Sequence, residues 1–205
     1  MKNYYADLHV HIGSSGGRPI KITASRALQL KPLLYRHAPV KGLDIIGVVD
    51  AACLPVSHEI QEMLESGELT EHSQGGFQAK NGILFLAASE IETLEGAHII
   101  MYLPTWNSLT TYQKYLSSRV KNMSLSTQKA NTTIQDLINL QYIIDGVLCP
   151  AHVFTPHKGV YGCCTDRLEA VLGRDYKSIS SVELGLSSNT DMGDLIKECS
   201  YFTFL

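Results

Sequence analysis

Four short apolar runs, each flanked by polar residues that can bind a metal or move a proton, constrain this chain most. They are 44–50 (DIIGVVD), 82–88 (GILFLAA), 98–103 (HIIMYL) and 146–152 (GVLCPAH). A fifth run occupies 4–10, and shorter ones occupy 181–184 and 202–205. Between them lie stretches with helical spacing at 26–37, 56–67, 109–120, 132–140 and 192–199. Strands that are apolar along their whole length are covered on both faces. Alternation with helices then predicts an α/β chain with parallel pairing, as an open sheet or a barrel. In either architecture, ligands gather at the carboxyl ends of the strands.

The residues at those ends are His9, His11, Asp50, Glu90, Glu92, His98 and His152. Residues two apart on a strand face the same side, so His9 and His11 project together, as two ligands of one ion must. Imidazole suits Zn, Mn and Fe, and a carboxylate such as Glu90 or Glu92 can bridge two ions. His37, His58 and His72 fall in helical or loop stretches and carry no role in this reading. His157, in the loop after Pro156, is a weaker candidate.

At 205 residues, with 44% hydrophobic and 18% charged side chains, the chain can bury a core, which excludes a disordered segment. The net charge of −3 excludes a uniformly basic coat for nucleic acid. Charge is nevertheless segregated. Residues 8–42 carry Arg18, Lys21, Arg26, Lys31, Arg36 and Lys41 and no acid, and 106–135 carry Lys114, Arg119, Lys121 and Lys129 and no acid. An anionic partner fits such a distribution. Five cysteines without a CxxC spacing, two of them adjacent, fit a reducing compartment, so a cytoplasmic location is expected. No apolar run approaches the ~18 residues of a membrane span, so no membrane partner is expected. The sequence sets no oligomeric state.

Asp7-Leu8-His9-Val10-His11 resembles the first motif of the polymerase-and-histidinol-phosphatase (PHP) superfamily of phosphoesterases. Asp50, Glu90, His98 and Pro150-Ala151-His152 follow in that superfamily's order. Within it, ADLHVHIG, KGLDIIGVVD, SEIET, RVKNMSLSTQ, PAHVFTPHKGVYG and VELGLSSNTDM resemble the endonuclease Q branch. Those are DNA repair endonucleases that cut beside deaminated bases such as uracil and hypoxanthine, or at abasic sites. The resemblance implies a single PHP-type domain over residues 1–205, a distorted (β/α)7 barrel, with two divalent ions. It assigns one ion to His9 and His11, the other to His98 and His152, with Glu90 bridging and Asp7 orienting a ligand from behind. Glu90 and Asp50 are the expected catalytic carboxylates.

The chain departs from the family pattern at three places. Gly17 and Ala51 stand where many members have metal ligands, leaving Asp50 as the replacement at a third site. The sequence also ends where the family continues into an Asp-x-His motif. The resemblance therefore implies an N-terminal fragment of a longer relative, with a barrel incomplete at its C-terminus and weakened activity. Alternative readings are a PHP-type phosphatase of small esters and a truncated, non-catalytic DNA-binding domain.

For a nucleic-acid partner the expected contacts are Arg18 and Lys21, beside the glycines that follow His11, and Arg119, Lys121, Asn122 and Gln128. Tyr161 is expected to stack on a base, whereas Tyr112 and Tyr115 fit core packing better. Ser187, Ser188 and Asp191 are further candidates near the mouth of the site, with Asp191 equally suited to cap the last helix.

Overall fold

The structure, a computed structural model, describes residues 3–173, 179–186 and 188–205. Ser187 therefore lies outside the described residues. The chain divides into two compact units. One comprises Met1–Ser89 and Tyr102–Thr127, the other Glu90–Met101 and Gln128–Leu205.

The first unit begins with β1 (Ala6–Val10) and a two-residue hairpin of β2 (Ser14–Ser15) and β3 (Arg18–Pro19). A helical run follows as α1 (Leu30–Pro32), a π-helical turn (Leu33–His37) and α2 (Ala38–Lys41). The spacing predicts this helix from residue 26; it starts at Leu30, with Pro32 in the first turn, where a missing N–H costs nothing. Next come β4 (Ile45–Val48), α3 (Leu54–Glu65), β5 (Leu69–Glu71), β6 (Phe77–Ala79) and β7 (Leu84–Glu92), whose last three residues belong to the second unit. Helix α4 (Trp106–Leu116) completes the first unit, its start fixed by a Thr105/Ser108 capping box.

The strand order β1-β4-β7 is parallel, as expected of apolar strands joined by helices. The sheet then departs from that expectation: β6 and β5 extend it antiparallel, in the order β7-β6-β5. This hairpin escaped the sequence reading because its strands are three residues each and polar at Thr70, Glu71 and Gln78. The sheet is therefore mixed. Helix α3 buries Val56, Ser57, Ile60 and Met63, and α4 buries Ser108, Leu109, Tyr112 and Leu116, both at helical spacing. Ile46, Val48, Phe77 and Phe85 fill the core with them.

In the second unit, β8 (His98–Leu103, its last two residues in the first unit) pairs with β7 and with β9 (Val147–Pro150). Between them runs α5 (Ile134–Ile143), begun by a Thr133/Asp136 capping box. Then come α6 (Val160–Cys163), α7 (Leu168–Leu172), β10 (Ser181–Val182), α8 (Thr190–Asp194), a 3-10 turn (Lys197–Tyr201) and β11 (Thr203–Phe204), which pairs in parallel with β10. Asn189, not Asp191, caps α8, its side-chain oxygen accepting the Met192 N–H at 3.0 Å. The core is built on Ile99, Ile100, Leu137, Ile138, Leu148 and Leu168. Among the described residues no helix is long and apolar enough to cross a membrane.

Candidate metal centre

The first unit brings His9, His11 and Asp50 to the carboxyl ends of β1 and β4. β1 pairs with β4 at Asp7↔Ile46 and again at Val10↔Val48, so the register slips by one residue across Leu8–His9. Such a bulge re-aims side chains. Gly47 lies against it: a Cβ there would sit 2.3 Å from the Leu8 carbonyl oxygen, so only glycine lets β4 approach this closely. The His9 and His11 rings end side by side, centroids 5.2 Å apart and edge-on.

Behind His11 stands Asp50, 1% exposed. Its Oδ1 accepts His11 Nδ1 at 2.8 Å and the Ser126 hydroxyl, and its Oδ2 accepts the Ile12 N–H at 2.6 Å. A carboxylate on the Nδ1 of an imidazole is the usual support behind a metal ligand that binds through Nε2. Both oxygens of Asp50 thus accept hydrogen bonds within the first unit, which gives it a supporting role behind His11 beside the ligand role that the sequence reading expects. Ala51, fully buried, and Gly17, exposed, have no side-chain ligand atom to offer.

The second unit gathers Glu90, His98 and His152. Glu90, 3% exposed near the end of β7, places Oε1 3.0 Å from His98 Nδ1 and 3.2 Å from His152 Nε2. The three residues offer ligand atoms that all lie within 4.8 Å of one another. The two rings meet edge-on at 5.1 Å. Two imidazoles and a buried carboxylate form a donor set that fits Zn, Mn or Fe.

His152 adopts φ 32°, in the left-handed region that non-glycine residues avoid. The surrounding bonds hold it there. Its N–H donates to Glu183 Oε2 at 3.0 Å, the Val153 N–H donates to the Glu183 carbonyl at 2.9 Å, and the Ala151 N–H donates to the His98 carbonyl at 3.0 Å. Gly185 packs so close that a Cβ on it would lie 2.7 Å from the His152 Cβ. Strain held in this way marks a residue whose position matters.

Glu92 does not join the cluster. Its Oε2 accepts Lys158 Nζ at 2.6 Å, its Oε1 lies 3.8 Å from Lys129 Nζ, and Oε2 is 3.8 Å from His98 Nε2. The hydrogen bond from Lys158, with Coulombic help from its neighbours, holds the Glu92 carboxyl below the usual carboxylate range.

The expected nucleic-acid contacts fall into two kinds. Arg18, Lys121 and Asn122 are exposed. Arg18 lines a groove of about 730 Å³ with Gln29, Lys31, His58 and Glu59. Lys21, by contrast, is drawn inward, Nζ on Thr127 Oγ1 at 2.5 Å. Arg119 lies over the Tyr115 ring at 3.8 Å and donates to the Tyr115 carbonyl. The Gln128 carbonyl accepts the Glu92 N–H. Tyr161, expected to stack on a base, already stacks on Phe154 at 5.3 Å and donates its hydroxyl to Glu198. Tyr112 is fully buried, in line with core packing. The five cysteines are free thiols, Cys163 and Cys164 with sulfurs 3.0 Å apart. Sequence reasoning passed over Glu183, Lys158 and Gly185. All three stand inside stretches that resemble the endonuclease Q branch, yet nothing in residue type or spacing marks the Glu183 bond to the His152 backbone, the Lys158 bond to Glu92 or the close approach of Gly185 to His152.

No family model matches the chain. The uncharacterized protein YqxK of Bacillus subtilis is 35% identical over 212 residues, an alignment that takes in all of this chain and 54% of that protein. The crystal structure of the lesion-specific endonuclease PfuEndoQ from Pyrococcus furiosus superposes with a TM-score of 0.81 at 26% identity, over 98% of this chain and 47% of that one. Endonuclease Q bound to a 27-mer duplex with an abasic lesion at its active site matches with the same figures. PsfC from Pseudomonas syringae, at 17% identity and a TM-score of 0.57 over 99% of this chain and 75% of that one, shares the fold alone. This chain thus spans about half the length of YqxK and of endonuclease Q, and its fold is endonuclease Q-like.

Proposed function

We propose that this chain carries a metal-dependent phosphodiesterase site for DNA with a deaminated base or an abasic position. The observation that carries the reading is the Glu90–His98–His152 donor set on an endonuclease Q-like fold. Glu90, His98 and His152 would hold a divalent ion, which when bound would supply an acidified water and Lewis-acid stabilisation of a phosphoryl oxygen. Glu90 supplies the anionic ligand. His98 and His152 would supply imidazole nitrogens, and Glu183 fixes the strained backbone of His152. By the family resemblance His9 and His11 would hold a second ion, in a PHP-type barrel. Asp50 then acts through His11 as a positioning residue, because both its oxygens are taken. Arg18 and Lys121 are exposed and suit contacts to phosphate, exposed Asn122, next to Lys121 in sequence, accepts the Ser124 N–H, and Lys21 and Thr127 lie close to Asp50's partner Ser126.

The alternative of a non-catalytic domain keeps one specific support, the Ala and Gly at positions 51 and 17. One experiment separates the readings. Bound metal is measured, and cleavage of abasic, uracil- and hypoxanthine-containing duplexes is compared with an undamaged duplex and with p-nitrophenyl phosphate. Metal-dependent cleavage confined to damaged duplexes, lost in His152→Ala, supports the proposal. Turnover of the small ester alone makes it a phosphatase. Metal and duplex binding without turnover makes it a binding domain. A chain that holds no divalent ion overturns the metal centre.

A further inference from the structure

Beside the metal cluster the second unit carries a pair of lysines that share one carboxylate. Lys158 Nζ sits 2.6 Å from Glu92 Oε2, and Lys129 Nζ sits 3.8 Å from Glu92 Oε1. One carboxylate neutralises one ammonium, so the trio keeps a net positive charge. Both lysines remain open to solvent, with side chains 44% and 61% exposed, whereas Glu92 is 22% exposed. The trio faces outward at its ammonium ends.

Its position is fixed by backbone bonds to the strands that carry the cluster. The Glu92 N–H donates to the Gln128 carbonyl at 3.0 Å, and the Ala130 N–H to the Glu92 carbonyl at 2.8 Å, which clamps Lys129 alongside Glu92. The His98 N–H donates to the Lys158 carbonyl at 2.8 Å. Lys158 is therefore tied to His98 itself, and Glu92 Oε2 lies 3.8 Å from His98 Nε2. Two ordered ammonium groups next to a candidate metal ligand are more than a solvated basic face. Neither belongs to the residues assigned to nucleic-acid contact from the sequence.

We propose that Lys129 and Lys158, bridged by Glu92, form a phosphate-binding pair that receives the DNA backbone next to the Glu90–His98–His152 cluster. The pair rests on the proposed function and deepens it, since it names which cations meet the phosphodiester. Glu92 orders the lysines in the free protein and is not a metal ligand. A backbone phosphate competes with it for the ammonium groups, which are flexible enough to swing a few ångströms while their main chains stay bonded.

The test uses the full chain and an abasic-site duplex. Affinity is measured between 50 and 200 mM salt for wild type, Lys158→Met, Lys129→Met, Lys158→Arg, Glu92→Gln and, as an exposed control from the first unit, Lys80→Met. Each lysine that meets a phosphate adds about 0.9 to the slope of log affinity against log salt. Lys158→Met and Lys129→Met should each flatten that slope by about 1 and weaken binding several-fold, with metal content and thermal unfolding unchanged. Lys158→Arg should restore the slope, and Lys80→Met should leave it alone. Glu92→Gln should tighten duplex binding and keep bound metal. Loss of metal in Glu92→Gln would make Glu92 a ligand and overturn the inference. Unaltered slopes in both methionine variants, with wild type binding the duplex, would overturn the lysine pair and leave the proposed function standing. Wild type that binds no duplex at any salt would overturn both.

Discussion

Replacing Gly185 by alanine should damage the candidate metal centre from a residue outside its donor set. Two costs add. Gly185 has φ +80°, where an L side chain costs roughly 1–2 kcal/mol. The new Cβ would also stand 2.7 Å from the His152 Cβ and 3.1 Å from its Cα, and overpacking of this kind costs about 1–3 kcal/mol. Together the loss is about 2–5 kcal/mol. His152 cannot yield freely, because its own φ of 32° is held by Glu183 and by the Ala151–His98 bond. The displacement must therefore reach the imidazole. Losing the support behind a ligand typically lowers metal affinity 10–100-fold. The control is Gly42→Ala, at φ +69° with nothing within 4 Å of the added Cβ, which carries the backbone cost alone. Urea unfolding and metal titration of the two variants give the comparison. If Gly185→Ala matches Gly42→Ala in stability and wild type in metal affinity, the close approach does not hold His152, and the reasoning fails.

Asp50→Asn should keep the volume but exchange an acceptor for a donor facing the Ile12 N–H or His11, and metal bound through His9 and His11 should weaken by about 10–100-fold; unchanged metal affinity would count against Asp50 as the group that orients His11. Glu92 should give the protein an acid-sensitive increment of stability. Its folded pKa is depressed by the Lys158 bond, so the increment is complete above the ordinary value near 4.5 and is lost as pH falls through the lower folded value. Urea titrations at pH 7 and at pH 3 should therefore show a smaller pH effect in Glu92→Gln than in wild type, and parallel losses would refute the pairing. Iodoacetamide at pH 8 should alkylate exposed Cys163 first and spare Cys149 until unfolding, since burial closes Cys149 off and pushes its thiol up to about 12; mass spectrometry of the peptides reads the order.

The sequence made the parallel strands legible because their apolar runs are continuous: Ile46, Val48 and Phe85 announce a buried sheet whatever surrounds them. The caps of α4 and α5 were legible in principle as Thr105/Ser108 and Thr133/Asp136. The hairpin of β5 and β6 was not, since three-residue strands with one polar face carry too little pattern to separate from loop. The helical run 30–41 was shortened at its start because 26–29 offers no buried residue, and Leu30 is the first side chain to reach the core.

The site divides along the same physical line. Residue type and strand-end position disclose candidate ligands, because His, Asp, Glu and Cys are the usual side-chain ligands and α/β folds gather chemistry at strand ends. Hence His98, His152 and Glu90 are legible as candidates from the sequence, while the 3.0 and 3.2 Å contacts among them are not. What a sequence does not disclose is which carboxylate ligates and which supports a ligand, since both are acids at strand ends. Asp50 and Glu92 look alike to that test, yet one is buried under three donors and the other is held between two lysines. The distinction lies in which partners reach each oxygen. Those partners, Ser126 from 76 residues away and Lys158 from 66, are set by tertiary folding. A supporting residue is therefore found by asking what occupies every lone pair of each acid, and the same question separates a cation that meets substrate from one already satisfied, as Arg119 on Tyr115 is satisfied and Lys129 beside a shared carboxylate is not.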